Sequence, residues 1–328
     1  MTVLEFVKRV RGGDRVPETA SEPPEASPPP VPVGLALGGG AARGFAHIGI
    51  IKKLVANGIK PEVIAGTSIG AVVGGLYAAG KLEAFEQWAL SLTRRRIFGY
   101  MDFSIGGAGL IGGSRLAENL MRETAGIGIE ELPIRFAAIA TEIGTGHEIW
   151  LTHGRLSDAM CASYALPGLF APCFIGGRWL MDGALVNPVP VSAARARGAR
   201  LVIAINLNAD TFGRGTVIQD HGADRDIVPD DPPSPGLKDK AEALLRRQFL
   251  GTRNKPGFST VMIEAFSVMQ DRITRARLAG EPPDLSINPK LSHVGFFDFH
   301  KAAEAIQAGE EAAEKALDSI FESMKALS

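Results

Sequence analysis

Gly66-Thr67-Ser68-Ile69-Gly70 sets a serine between two glycines, directly after the apolar run Val63-Ile64-Ala65 and just before a helix-like segment. A strand that turns sharply into a helix at a serine forces that residue into a strained backbone conformation. Glycine at the flanking positions, here Gly66 and Gly70, removes the side chains that would clash. The hydroxyl then projects from the turn, and the first free amides of the helix, with the positive end of its dipole, lie where an oxyanion would form. Ser68 is therefore the candidate nucleophile. A glycine-serine turn without chemistry would fit the same residues.

A second glycine cluster bears on that choice. Val33-Gly34-Leu35-Ala36-Leu37 reads as a short buried strand and runs into Gly38-Gly39-Gly40-Ala41-Ala42-Arg43-Gly44, after which Ile48, Ile51, Leu54 and Val55 fall at helical spacing. Consecutive glycines let the backbone approach a ligand and gather amide hydrogens in one small volume, which suits an anionic oxygen. A dinucleotide pyrophosphate would want Gly-x-Gly-x-x-Gly, but from Gly38 the last position is Arg43, with glycine delayed to Gly44. Glu62, near where a ribose-binding acid would sit, follows Pro61 at the start of a strand rather than ending one. The better fit is the tetrahedral intermediate of acyl transfer, with the amides of Gly39, Gly40 and Ile69 as oxyanion donors.

A nucleophilic serine needs a base. Asp182 stands in Met181-Asp182-Gly183-Ala184, at the end of a strand-like run containing Trp179 and Leu180, with Gly183 permitting a tight turn. Of the six histidines, His221, His293 and His300 follow Asp182, as the chain order of a hydrolase triad requires. None has a compelling local setting. Ser68-Asp182-His293 stands as an alternative triad of the α/β-hydrolase type, and a non-catalytic nucleotide-binding or regulatory module as a further one.

In that order, the loop Gly38 to Gly44, the elbow Gly66 to Gly70 and the triplet Asp182-Gly183-Ala184 resemble the patatin-like phospholipases, and most of all the bacterial members similar to neuropathy target esterase. The resemblance covers roughly residues 33–207, and Phe297-Asp298-Phe299-His300 with the helix that follows also looks like the end of such proteins. It implies a three-layer α/β/α fold on a central, mostly parallel sheet with a C-terminal helical extension. It also implies a Ser-Asp dyad without a catalytic histidine, hydrolysing acyl esters of phospholipids or lysophospholipids without a cofactor. Carried over by position, Ser68 is the nucleophile, Asp182 the base, and Gly38, Gly39 and Gly40 belong to the oxyanion loop. Arg43 falls on the family's loop arginine, bracing the loop or facing a phosphate. A free aspartate, with a pKa near 4, is a poor base at neutral pH, so Asp182 must be partly desolvated.

With 328 residues, 45% of them hydrophobic and 22% charged, the chain can bury a large α/β core. A formal net charge of −1 argues against nucleic acid as a partner. Cys161 and Cys173 lie in apolar surroundings and read as buried free thiols, and no metal-ligand spacing stands out. The apolar residues near the N-terminus are interrupted by Lys8 and Arg9, unlike a signal peptide, which points to a cytoplasmic protein. Val63 to Gly80 carries no charge but divides into a strand and a core helix, so any membrane contact is expected to be peripheral. The oligomeric state is not legible.

Four parts are expected: a tail and Pro-rich linker over 1–32, disordered; a catalytic domain over 33–207; a mobile loop over 208–236; and a helical extension over 237–328 packed on the catalytic domain. Residues 1 to 12 could form an amphipathic helix, although a frayed tail fits them better. Gly144-Thr145-Gly146 signals a hairpin between Phe136 and Leu151. Ser157 to Leu169, Leu237 to Leu250, Thr260 to Leu278 and the chain from about Lys301 read as helices, and Arg200 to Asn206 and Asp284 to Ile287 as strands. Met262, Ile263, Phe266, Met269 and Ile273 form a face expected in the core or at an oligomer contact. Ile306, Ala313, Leu317, Ile320 and Met324 form a stripe expected to pack on the sheet. Phe170 and Phe174 serve either the pocket or plain packing, and Arg94-Arg95-Arg96 a solvated cationic patch.

Overall fold

A computed structural model describes residues 31–96, 124, 126–210, 218, 222, 223 and 255–328. The N-terminal tail and linker up to residue 30, most of the 208–236 loop and the helix expected over Leu237 to Leu250 lie outside the described residues. The described residues from Val31 to Leu327 form one compact unit.

Its centre is a sheet of eight strands: β1 (Val33–Leu37), β2 (Val63–Thr67), β3 (Arg135–Glu142), β4 (Glu148–Leu151), β5 (Cys173–Ile175), β6 (Arg178–Asp182), β7 (Leu201–Ile205) and β8 (Leu285–Ile287). The order is β5-β6-β3-β2-β1-β7-β8, with β4 also paired to β3. The strands from β3 to β8 in this order are parallel, whereas β4, β5 and β6 are antiparallel additions at one edge. The parallel strands are apolar and buried along most of their length, as a sheet covered on both faces requires. The hairpin around Gly144-Thr145-Gly146 is present, joining β3 to β4.

The helices are α1 (Ala46–Ala56), α2 (Ile69–Ala78), α3 (Leu82–Leu90), α4 (Leu156–Ser163), α5 (Val191–Ala196), α6 (Phe258–Gly280) and α7 (Ala302–Leu327). Alternate strand residues divide the core. Leu35, Leu37, Ile64, Phe136 and Ile203 pack with residues of α1, α2, α4 and α7, whereas Ala36, Ala65, Ile139 and Ala204 face α5. This is the three-layer α/β/α arrangement.

Two expectations need correction. α4 ends at Ser163 rather than Leu169: a residue preceding proline avoids the helical region, and here Leu166 precedes Pro167. The Ala165 carbonyl freed there accepts the Asp182 amide at 2.9 Å. The stripe of α7 packs chiefly on α1 rather than directly on the sheet. Two glycines make that crossing close: a Cβ on Gly49 would strike the Ile306 carbonyl oxygen, and one on Gly309 the Ala46 carbonyl oxygen. Because backbone cannot yield as a flexible side chain does, Gly309→Val is expected to lower unfolding free energy by about 3 kcal/mol, the upper part of the overpacking range. Urea denaturation checks this, and an unchanged midpoint would contradict the close crossing.

Candidate active site

The pairing of β3 explains how two distant motifs meet. Ala138 and Ile139 pair with Gly66 and Thr67 of β2 on one edge and with β4 on the other. Ala140 and Thr141 pair with β4 on that same other edge and with Asp182 and Met181 of β6 opposite it. β6 therefore occupies the lane that β2 vacates after Thr67, running the other way, and the two strands meet end to end. Ser68 follows the end of one and Asp182 closes the other. Ser68 Oγ donates to Asp182 Oδ2 at 2.6 Å.

Ser68 has φ 55° and ψ −125°, a left-handed conformation costing on the order of 1–3 kcal/mol for a non-glycine residue. Its neighbours allow the turn by close approach. A Cβ on Gly66 would lie 2.6 Å from the Ala71 backbone, and one on Gly70 would strike the Leu37 carbonyl oxygen. Gly44 and Gly183 do the same work nearby, facing the Ile69 side chain and the Ile139 carbonyl oxygen respectively. Ser163, fully buried, accepts the Ser68 amide at 2.9 Å and donates to the Ile139 carbonyl at 2.6 Å, which ties the elbow to β3.

Asp182 is 1% exposed. Its Oδ1 accepts the Ala184 amide at 2.8 Å, and the Thr141 hydroxyl donates to its carbonyl at 2.8 Å. Burial pushes its pKa up to about 7, and the hydrogen bonds from Ser68 and Ala184 offset part of that rise. The carboxyl group is thus poised to exchange a proton near neutrality, as the sequence argument required. Both its oxygens are engaged, which leaves no place for an imidazole between it and Ser68. His293 instead lies 3.6 Å from Glu304, and His300 accepts from Arg94 at 3.2 Å. The structure therefore does not assemble the Ser68-Asp182-His293 triad. His221 lies outside the described residues.

The glycine loop, the elbow and the turn after β7 gather at the carboxyl ends of parallel strands, the common ligand edge of such sheets. Here the oxyanion expectation is corrected in part. The Gly38 amide donates to Ile205 O at 3.1 Å and the Gly39 amide to Pro188 O at 3.0 Å, so neither is free for a ligand. The amides of Gly40, Ala41 and Ile69 have no acceptor among the described residues, and all three residues border the cavity at Ser68. Arg43 is buried and braces the loop, donating to Val294 O at 2.9 Å and to Asn208 Oδ1 at 2.9 Å. It does not line the cavity, and burial lowers its pKa.

That cavity has a volume of about 370 Å³ and is walled chiefly by apolar and aromatic side chains, among them Phe45, Val72, Phe85, Tyr164, Phe170 and Phe296. Phe170 joins the wall, whereas Phe174 is 60% exposed on the β5–β6 hairpin. The expected face of α6 splits: Phe266 is buried at the cavity with Gln270, while Met262 and Met269 face outward. Cys161 and Cys173 are half-buried free thiols rather than fully buried ones, with the Cys173 pKa raised to about 11 by burial. Among the described residues no group of His, Cys, Asp or Glu could hold a metal ion.

Sequence reasoning missed Ser163 and Thr141, whose hydrogen-bond partners are remote in the chain, and Gln270, which α6 brings to the cavity. A buried polar residue among apolar neighbours, as Ser163 is beside Ala162, is the sort of signal that could have found them. It also left His47 without a role. Fully buried, His47 Nε2 bonds Gly38 O at 2.8 Å, its Nδ1 has no partner, and burial lowers its pKa to about 4. Its folded pKa lies below the unfolded value near 6.5, so the unfolded chain takes up the proton first and stability is lost as pH falls through this window. Between pH 7 and pH 4 this loss is about 3 kcal/mol, and His47→Gln should remove that component in denaturant titrations at the two pH values.

A family model described as patatin-like phospholipase matches residues 35–195. An uncharacterized NTE family protein of Mycobacterium tuberculosis is 33% identical, the match covering 87% of this chain and 91% of that protein. The lysophospholipase NTE1 of Yarrowia lipolytica is 33% identical over 54% of this chain and 13% of its own length. Among solved structures, VipD from Legionella pneumophila matches with a TM-score of 0.45 and 12% identity, covering 89% of this chain and 67% of that one.

Proposed function

The chain belongs to the patatin-like phospholipase family and is an ester hydrolase; on that premise we propose that it cleaves acyl esters of phospholipids or lysophospholipids through a Ser68-Asp182 dyad. The observation that carries this reading is the 2.6 Å contact from Ser68 Oγ to a buried carboxyl group, at the floor of an apolar cavity. Ser68 Oγ attacks the ester carbonyl as its proton passes to Asp182 Oδ2. The amides of Gly40 and Ile69, with Ala41 beside them, face the negative charge that develops on the carbonyl oxygen. Asp182 returns the proton to the departing alcohol oxygen, leaving an acyl group on Ser68. It then takes a proton from the water that releases the fatty acid. The aromatic walls suit the acyl chain, since burying each methylene contributes about 0.8 kcal/mol.

The Yarrowia lipolytica relative is a lysophospholipase, which supports lysophospholipids as substrates. Ser68→Ala and Asp182→Asn should each abolish lipid release, read by mass spectrometry of the freed fatty acids. Wild-type-like turnover by either would refute the dyad. The pH profile follows from Asp182: kcat should rise about tenfold per unit below pH 7 and level off above it. Stability moves oppositely. A carboxyl pKa raised in the fold contributes stability below the unfolded value, and this is lost as pH rises through about 7. The inactive Asp182→Asn should therefore be more stable than wild type at pH 8, by up to about 4 kcal/mol, with the difference vanishing near pH 4. Thermal unfolding at the two pH values tests it.

Among the described residues no helix is long and apolar enough to cross a membrane. A peripheral contact fits the reading: Val261, Met262, Val268 and Met269 are exposed on α6, whose inner face lines the cavity, and Arg94, Arg95 and Arg96 are exposed, with Arg94 bordering that cavity. At about 1 kcal/mol per arginine near an anionic surface, replacing all three by glutamine should weaken binding to phosphatidylserine-containing vesicles about a hundredfold. Co-flotation that resists both salt and this replacement would count against the contact.

A further inference from the structure

An oxyanion donor works only if it is aimed before the charge appears. A trans peptide is planar, with its C=O and N–H on opposite sides, so whatever holds the carbonyl aims the amide. The Gly39 carbonyl accepts from Asn208 Nδ2 at 3.1 Å. The N–H on that same peptide belongs to Gly40, which borders the cavity and has no acceptor among the described residues. The preceding peptide is spoken for on both sides, with His47 at the Gly38 carbonyl and Pro188 O at the Gly39 amide.

Asn208 is itself held firmly. It is 6% exposed, its Oδ1 accepts from Arg43 Nη1 at 2.9 Å, and its own amide donates to Asn206 Oδ1 at 3.0 Å. One amide side chain thus donates to the loop and accepts from the guanidinium, a pairing that neither a carboxylate nor a hydrocarbon side chain can reproduce. Resting on the dyad reading above, we propose that Asn208 is the positioning residue that aims the Gly40 amide at the oxyanion, with Arg43 holding Asn208 in place. The site of this control lies well over a hundred residues downstream of the loop it orients.

Asn208→Asp separates the two bonds, because a carboxylate keeps the acceptor for Arg43 and loses the donor to Gly39 O. With active sites counted by fluorophosphonate labelling of Ser68, kcat should fall about a hundredfold, at the lower end of what losing an oxyanion donor costs. KM should stay within about twofold, and affinity for a trifluoromethyl ketone bearing the same acyl chain should fall by the same factor as kcat. Asn208→Leu, read in the same way, covers the case in which the aspartate variant does not fold. Unchanged kcat in either folded variant overturns the proposal. So does a loss of substrate and ketone affinity by equal factors, which would mark a distorted pocket. Turnover by a Ser68→Ala control is a separate result, which removes the dyad reading and this proposal with it.

Discussion

The end-to-end meeting of β2 and β6 along one edge of β3 is the constraint on which the site depends. β3 is longer than β2, so its last residues would expose unpaired backbone groups, and the antiparallel hairpin supplies the missing partner. The register of this exchange, Ile139 opposite Thr67 and Ala140 opposite Asp182, brings the hydroxyl and the carboxyl together across a chain separation of 114 residues. Thr141 and Ser163, bonded to the Asp182 carbonyl and to the Ser68 amide, keep both ends in register.

The same junction sets the electrostatics. Strand pairing carries Asp182 into the core, where water cannot solvate its charge, and two hydrogen bonds only partly compensate. The fold thus holds a group that opposes its own stability at alkaline pH, together with a strained backbone at Ser68. Both costs sit at the point where chemistry is proposed, as expected where local strain persists because its surroundings over-determine it. Close glycine contacts at Gly66, Gly70 and Gly183 are how the backbone comes near enough for the arrangement to form.

Around the dyad, the C-terminal part of the chain completes the site rather than decorating it. Arg43 and Ala42 bond the Val294 and Phe296 carbonyls, and Asp210 accepts the Leu291 and Ser292 amides. These bonds tie the segment after β8 to the glycine loop and to the turn after β7, and Phe296 stands in the cavity wall. α6 adds Gln270 and Phe266, whose ring meets Phe296 edge to face, and α7 clamps α1 through the paired glycines Gly49 and Gly309.

Much of this was legible in the residues alone, where the controlling forces act over a few positions. The strand-glycine loop-helix unit, the serine elbow, the β3–β4 hairpin and the helical spans of α6 and α7 follow from steric limits on glycine and from helical or alternating patterning. The need for a desolvated Asp182 also followed from elementary acid-base chemistry. Tertiary structure decided what depends on partners far away in the chain. It set the contact between the two oxygens, the burial that raises Asp182, and the commitment of the Gly38 and Gly39 amides to Ile205 and Pro188. It also set the packing of α7 on a helix, and the early end of α4, whose freed carbonyl meets the Asp182 amide. A backbone amide is identical in every residue, so its acceptor is chosen by what the fold places opposite it, and no local pattern of side chains encodes that choice.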